Sequence, residues 1–156
     1  MSVSDTVFNH LAWLCSRREY CSKDIYQKAL RKGLDEKEAI AVLDRLVRER
    51  FVDDARYAGA FVRDKAMLAG WGPRKISYAL KAKGIPSGTI ETALASVIEE
   101  DEDRERAGRR MREVVSAKWK TVRADTLQER RAKVLRFALS RGYAYDEVMA
   151  FISTLS

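Results

Sequence analysis

One pattern, written three times, constrains this chain more than any other feature. An apolar residue and seven intervening residues lead to a glycine, and further apolar residues follow it, the last at glycine plus thirteen. The first copy runs from Ile25 through Arg31-Lys32-Gly33 to Ile40, Leu43 and Leu46. The second runs from Ile76 through Ala82-Lys83-Gly84 to Ile90, Leu94 and Val97, and the third from Val134 through Ser140-Arg141-Gly142 to Val148, Ile152 and Leu155. In the first copy the middle apolar position slips by one, to glycine plus seven rather than plus six. Self-similarity of this kind marks a repeat architecture, in which function sits on an extended surface rather than in a deep pocket.

The glycines have a mechanical reason. Each follows a basic residue at the end of a helical pattern and precedes a new one, the C′ position where glycine adopts a left-handed backbone without a Cβ clash. Lys32, Lys83 and Arg141 complement the negative end of the helix dipole. Helical periodicity predicts nine helices, near 4–17, 22–32, 35–50, 53–69, 73–82, 87–99, 102–118, 126–140 and 144–154. The expected fold is therefore all-α, an elongated, curved array of three tandem three-helix repeats over 1–52, 53–99 and 100–156. The repeat glycines are 51 and then 58 residues apart, so the third repeat should carry extra residues, around Lys118–Asp125.

Helix starts are legible too. Asp35-x-x-Glu38 and Thr126-x-x-Glu129 resemble capping boxes, and Asp53 can cap the fourth helix. Gly72-Pro73 reads as N-cap and first helical residue. Tyr20 with Ile25, and Trp71 with Ile76, fall at staple positions, where an aromatic ring fixes chain direction rather than binding a ligand.

Little here supports catalysis. His10 is the only histidine, no His or Cys cluster has metal-ligand spacing, and no phosphate-binding glycine loop occurs. Asp53-Asp54 reads as a helix cap rather than a carboxylate pair. The acidic run Glu99–Asp103 reads as a solvated linker and helix start. No cofactor is expected. No apolar run is long enough to span a membrane and no signal peptide is evident. Cys15 and Cys21 should be free thiols in a reducing cytosol.

The charge is uneven. The chain has 30 Lys and Arg against 23 Asp and Glu, a net charge of +7. Residues 1–52 hold ten basic and eight acidic side chains, whereas 63–83 hold six against one and 104–141 thirteen against four. An acidic partner follows from this distribution. Arg63, Lys65, Arg74, Lys75, Lys81, Lys83, Arg104, Arg109 and Arg110 are the candidate partner or DNA contacts. Arg74 and Lys75 also break a local rule, being cations in the first turn of a helix, where the dipole disfavours them. Either they form an anion site with exposed N–H groups, or they are a mild surface cost.

Several stretches together resemble the RecX family. They are Arg17-Arg18-Glu19-Tyr20, Phe51-Val52-Asp53-Asp54-Ala55-Arg56-Tyr57-Ala58 running into Phe61-Val62-Arg63, Gly72-Pro73-Arg74-Lys75-Ile76, Leu80-Lys81-Ala82-Lys83-Gly84-Ile85 and Phe137-Ala138-Leu139-Ser140-Arg141-Gly142-Tyr143. They cover about residues 12 to 155 in the family's order and spacing. One departure is Cys21, where the family often has serine, with Asp24 in place of glutamate; the start of the second helix is thus open between Cys21 and Ser22. The resemblance implies a modular helical, non-enzymatic, cytoplasmic regulator in DNA repair and the SOS response. It implies binding to RecA filaments, with inhibition of recombinase, ATPase and co-protease activities, and contact with single- or double-stranded DNA. A monomer is expected. The alternative is a basic helical-repeat protein that acts by competing for DNA.

Overall fold

The computed structural model describes residues 1–156. Nine α-helices follow one another without a strand: α1 (Val3–Arg17), α2 (Ser22–Arg31), α3 (Glu36–Arg48), α4 (Asp54–Asp64), α5 (Pro73–Ala82), α6 (Ser87–Glu99), α7 (Asp101–Thr121), α8 (Leu127–Ser140) and α9 (Tyr145–Ile152). No helix is long and apolar enough to cross a membrane.

Three apolar clusters run along the chain. The first gathers α1 to α3 around Leu11, Ile25 and Leu46; the second gathers α4 to α6 around Val62, Ile76, Leu80 and Ile90; the third gathers α7 to α9 around Val115, Val134, Val148 and Ile152. Each of these side chains is at most 1% exposed, and burial of one such residue stabilises by about 1.5–3 kcal/mol. Two residues break the segregation: Cys21, from the first three-helix segment, is buried in the second cluster, and Ala107 of α7 packs against it.

The repeat pattern needs one correction. Ile40 is 51% exposed, while Ala39, at glycine plus six, is fully buried. The register of the first copy therefore does not slip: Ala39, Ile90 and Val148 occupy one equivalent position. A small residue fills that site in the first copy, and a larger apolar neighbour on the solvent side disguised it. Gly33, Gly84 and Gly142 all have left-handed φ, at 99°, 76° and 92°.

Two helix ends differ from the periodicity. The expected helix over 53–69 is α-helical only to Asp64 and finishes in a π turn, Lys65–Ala69, closed by a bond from the Trp71 N–H to the Lys65 carbonyl at 2.9 Å. This wider turn leaves the Leu68, Ala69 and Gly70 carbonyls open to the next segment. The extra residues of the third segment lie partly in helix, since α7 runs to Thr121 before the connection to α8.

Capping follows the sequence closely. Asp35 and Glu38 form both bonds of a capping box, at 2.8 and 3.1 Å. Asp53 accepts from the Arg56 N–H at 3.0 Å. At Thr126 one half of the box forms; Glu129 instead accepts from the Asp125 N–H at 3.2 Å. Cys21 is the N-cap of α2 and makes no side-chain cap.

The turn after α3 holds the one non-glycine residue with positive φ, Arg50 at 64°. Its neighbours complete a helix-ending motif, with the Phe51 and Val52 N–H groups both donating to the Leu46 carbonyl. A left-handed conformation costs an ordinary L-residue about 1–2 kcal/mol. Arg50→Gly should relieve it and raise the thermal midpoint by roughly 2–4 °C, read by differential scanning calorimetry; an unchanged or lower midpoint would mean that this turn is unstrained.

Candidate partner-binding surface

The basic residues divide into those that join helical segments and those that face outward, so the joints come first. Between the second and third segments the contact is backbone on backbone. The Gly72 N–H donates to the Arg141 carbonyl at 2.7 Å, and the Arg74 N–H donates to the Gly142 carbonyl at 3.1 Å. A Cβ on Gly72 would overlap the Gly142 carbonyl, and one on Gly142 would overlap the Lys75 amide nitrogen and lie 2.6 Å from the Lys75 Cβ. Both positions thus require glycine for approach, Gly142 for its φ as well.

Guanidinium groups complete this joint. Arg141 donates from Nε to the Gly70 carbonyl at 3.1 Å and from a terminal nitrogen to the Ala69 carbonyl at 2.7 Å. Arg110 Nε donates to the Leu68 carbonyl at 2.9 Å. The three carbonyls left open by the π turn are satisfied by cations, which also suit the negative end of a helix. Arg63 on α4 pairs with the nearly buried Asp103 on α7.

The same elements meet between the first and second segments, with side chains in the gap. The turn before Gly84 lies against the start of α2: Lys83 Nζ pairs with Asp24 at 2.9 Å, and Lys23 Nζ donates to the Ala82 carbonyl at 3.0 Å. Asp54 accepts from the Ser22 N–H at 2.8 Å, supplying the cap that Cys21 lacks. Arg56 pairs with Glu19. The bond to Asp24 is the main cause that holds the Lys83 ammonium above its usual pKa.

The nine sequence candidates now separate. Arg63, Lys83 and Arg110 serve the joints. Arg104 is bound locally, to the Ile98 carbonyl at 2.8 Å and Asp101 at 2.7 Å. Lys65 and Lys75 lie over the Trp71 ring, 4.7 and 4.4 Å from its centroid, while Phe61 meets it edge-on. At the start of α5 the backbone donors are largely committed: Pro73 has no N–H, and the Gly72 and Arg74 N–H groups donate to carbonyls of the third segment. The Trp71 stack places the Lys75 cation at that helix start, while the Arg74 side chain makes no ion pair or hydrogen bond within the fold.

Arg74, Lys81 and Arg109 remain exposed, with no ion pair or side-chain hydrogen bond to the rest of the protein. Arg74 and Lys81 flank Tyr78, which is 79% exposed, on a shallow groove of α5 that also includes Leu94. Arg109 begins a row on α7 that continues through Arg112, Ser116 and Lys120. Sequence reasoning passed over Tyr78, Arg112 and Lys120. Extending the helical period from Arg74 and from Arg109 finds all three, since they recur at spacings of three and four.

Tyr143, next to Gly142, is 5% exposed, and burial raises its pKa from 10.0 to about 12. No group of three or more His, Cys, Asp or Glu side chains converges on a metal-sized site. Cys15 and Cys21 are free thiols, each pushed to higher pKa chiefly by burial.

This architecture is that of a tandem array of three-helix segments bearing outward basic stripes. Two family descriptions match it in order: RecX, second three-helix domain, over residues 53–94, and RecX, third three-helix domain, over 102–152. A "Regulatory protein RecX" of Vibrio campbellii is 33% identical over 140 residues, covering 90% of this chain and 85% of that protein. Its counterpart in Clostridium botulinum strain Eklund 17B is 36% identical over 124 residues, and this chain covers 56% of its length. Among solved structures, RecX from Lactobacillus salivarius superposes with a TM-score of 0.77 at 21% identity, covering 98% of this chain and 96% of that one. A second crystal structure, titled regulatory protein RecX, gives 0.83 at 20% identity, over 97% of this chain and 72% of that one. The chain belongs to the RecX family of regulatory proteins.

Two outcomes follow from the joint. Gly142→Ala should cost about 3 kcal/mol or more, because strained φ and steric overlap add. Gly33→Ala, with no atom within 4 Å of the added Cβ, should cost only the left-handed term of about 1–2 kcal/mol. Urea denaturation of both measures the difference; equal losses would mean that the joint tolerates a side chain. The second outcome concerns pH. A phenol whose folded pKa lies above its unfolded value contributes its stability fully below pH 10.0 and loses it as pH rises toward about 12. Stability should therefore fall across that window, and less steeply in Tyr143→Phe.

Proposed function

We propose that this chain is a non-enzymatic regulator that binds RecA nucleoprotein filaments and inhibits their recombinase, ATPase and co-protease activities. The observation that carries this reading is membership of the RecX family over both matched segments, since the resemblance of the motifs implies RecA as partner. The physical form suits it. A filament presents a long, acidic, periodic surface, and a tandem array with separate basic stripes on α5 and α7 can touch such a surface at several points. Arg74, Lys81 and Arg109 are the contacts of choice among the original nine, joined by Arg112 and Lys120, because none of them spends its charge inside the fold.

The competing reading is a nucleic-acid binder that competes for DNA. Tyr78, exposed between Arg74 and Lys81, favours it, because an aromatic ring beside cations can stack on bases while phosphates are neutralised. Its affinity would fall with salt at a log–log slope of ~0.7–0.9 per neutralised phosphate.

RecA ATP hydrolysis on single-stranded DNA separates the two. A filament regulator inhibits when added far below one molecule per RecA protomer, and inhibition persists when free DNA is added. A DNA competitor inhibits only when the DNA is coated, and free DNA relieves it. Replacing Arg74 and Lys81 with Glu should weaken inhibition at least tenfold with helicity unchanged, as loss of two charge-assisted contacts implies. Unchanged inhibition would remove the α5 stripe from the contact surface.

A further inference from the structure

The two joints of the array differ in kind. The second is held by two backbone hydrogen bonds and by two glycines that leave no room for a side chain, and α6 and the π turn both pack on α7. No backbone hydrogen bond crosses the first joint, and no helix of residues 1–52 packs lengthwise on a helix beyond it. What spans it is one fully buried side chain, Cys21, and a set of polar contacts. Lys83 pairs with Asp24 at 2.9 Å, Lys23 reaches the Ala82 carbonyl, and Asp54 caps the Ser22 N–H. Arg56 on α4 pairs with Glu19 and also donates to the Arg50 and Phe51 carbonyls at 3.1 and 3.3 Å, bracing the short connection between α3 and α4.

We propose that the first joint is a hinge: residues 1–52 pivot about the buried Cys21 side chain against a rigid unit made of the second and third segments, and the Arg56–Glu19 and Lys83–Asp24 pairs are latches that set the angle. All four latch side chains are partly exposed. Ion pairs at such sites hold weakly and are screened by salt. Relative motion is the default between two bodies whose interface is neither large nor apolar. A hinge of this kind needs a few residues that absorb the backbone change, and the connection that Arg56 braces already holds Arg50 in the left-handed region. The second joint has no such freedom, because its partners are peptide groups in direct contact and its glycines admit no rearrangement that brings in a side chain. Anionic groups release the latches by competing for Arg56 and Lys83. An array that seats on an acidic surface can then adjust its curvature to that surface while the α5 and α7 stripes keep their relative placement.

The hinge rests on the filament reading for its use alone; its existence is tested without RecA, so the two can fail separately. Amide dipolar couplings of the ¹⁵N-labelled full chain, aligned in a neutral stretched gel, are fitted separately for the helices of the first, second and third segments. Hinge motions on the μs–ms timescale reduce the fitted alignment of the body that moves. With Arg56→Met and Lys83→Met combined, the alignment of the first segment should fall to about half that of the other two, as a released body samples several orientations. The second and third segments should share one alignment in the wild type and in the variant alike. Raising salt should move the wild-type chain in the same direction as the double substitution, with helicity by circular dichroism unchanged. The proposal is overturned if all three segments keep one common alignment after both latches are removed, or if the second and third segments part as readily as the first and second. The wild-type chain at high salt decides the matter even if the double variant does not fold.

Discussion

At Gly72 and Gly142 two peptide groups from distant parts of the chain meet with no side chain between them. Helix starts ordinarily leave N–H groups to solvent or to a capping side chain. Here the start of α5 gives two of them to the turn that ends α8, and that turn's arginine reaches back to the carbonyls opened by the π turn before α5. Donors and acceptors of both segments are satisfied by each other. The relative placement of the α5 and α7 surfaces depends on this exchange, because a side chain at either glycine would force the segments apart.

The first joint uses the same elements with different chemistry. Asp24 and Lys83 stand where Lys75 and Arg141 stand in the second, each one repeat on, so an ion pair in the first joint corresponds to two cations in the second. With no anion available, the second joint relies on backbone approach, and Lys75 turns to the Trp71 ring. That substitution accounts for Lys75 in the first turn of α5 against the dipole. Partly exposed pairs such as Lys83–Asp24 contribute little by themselves. Cys21, fully buried in the neighbouring cluster, fixes the first joint more firmly.

Much of the fold was legible in the amino-acid order because helical period, capping residues and C′ glycines are local signals. All nine helices and the left-handed repeat glycines were readable from them, while the family was legible only through the resemblance of motifs such as Gly72-Pro73-Arg74-Lys75-Ile76. What escaped reading depends on contacts between segments. Ala39 was overlooked because a tight helix contact selects for small size, which hydropathy does not register. The π turn escaped because its reason lies in Arg110 and Arg141, some forty and seventy residues on. The allocation of cations was hidden for the same cause: Arg63, Lys83 and Arg110 look as free as Arg74 and Lys81 until their partners are placed. Gly72 was read as a cap, and its second reason, the approach of Gly142, belongs to the tertiary structure alone.

The central claim is that the α5 start is locked to the α8–α9 turn through backbone hydrogen bonds. Amide hydrogen exchange at Gly72 and Arg74 tests it most directly. Amides at an open helix start exchange at nearly unprotected rates, whereas these two should be protected to the level of the core amides of α5, opening only with the joint. Fast exchange at both, with the rest of α5 protected, would contradict the account and return the second and third segments to independent bodies on a flexible connection.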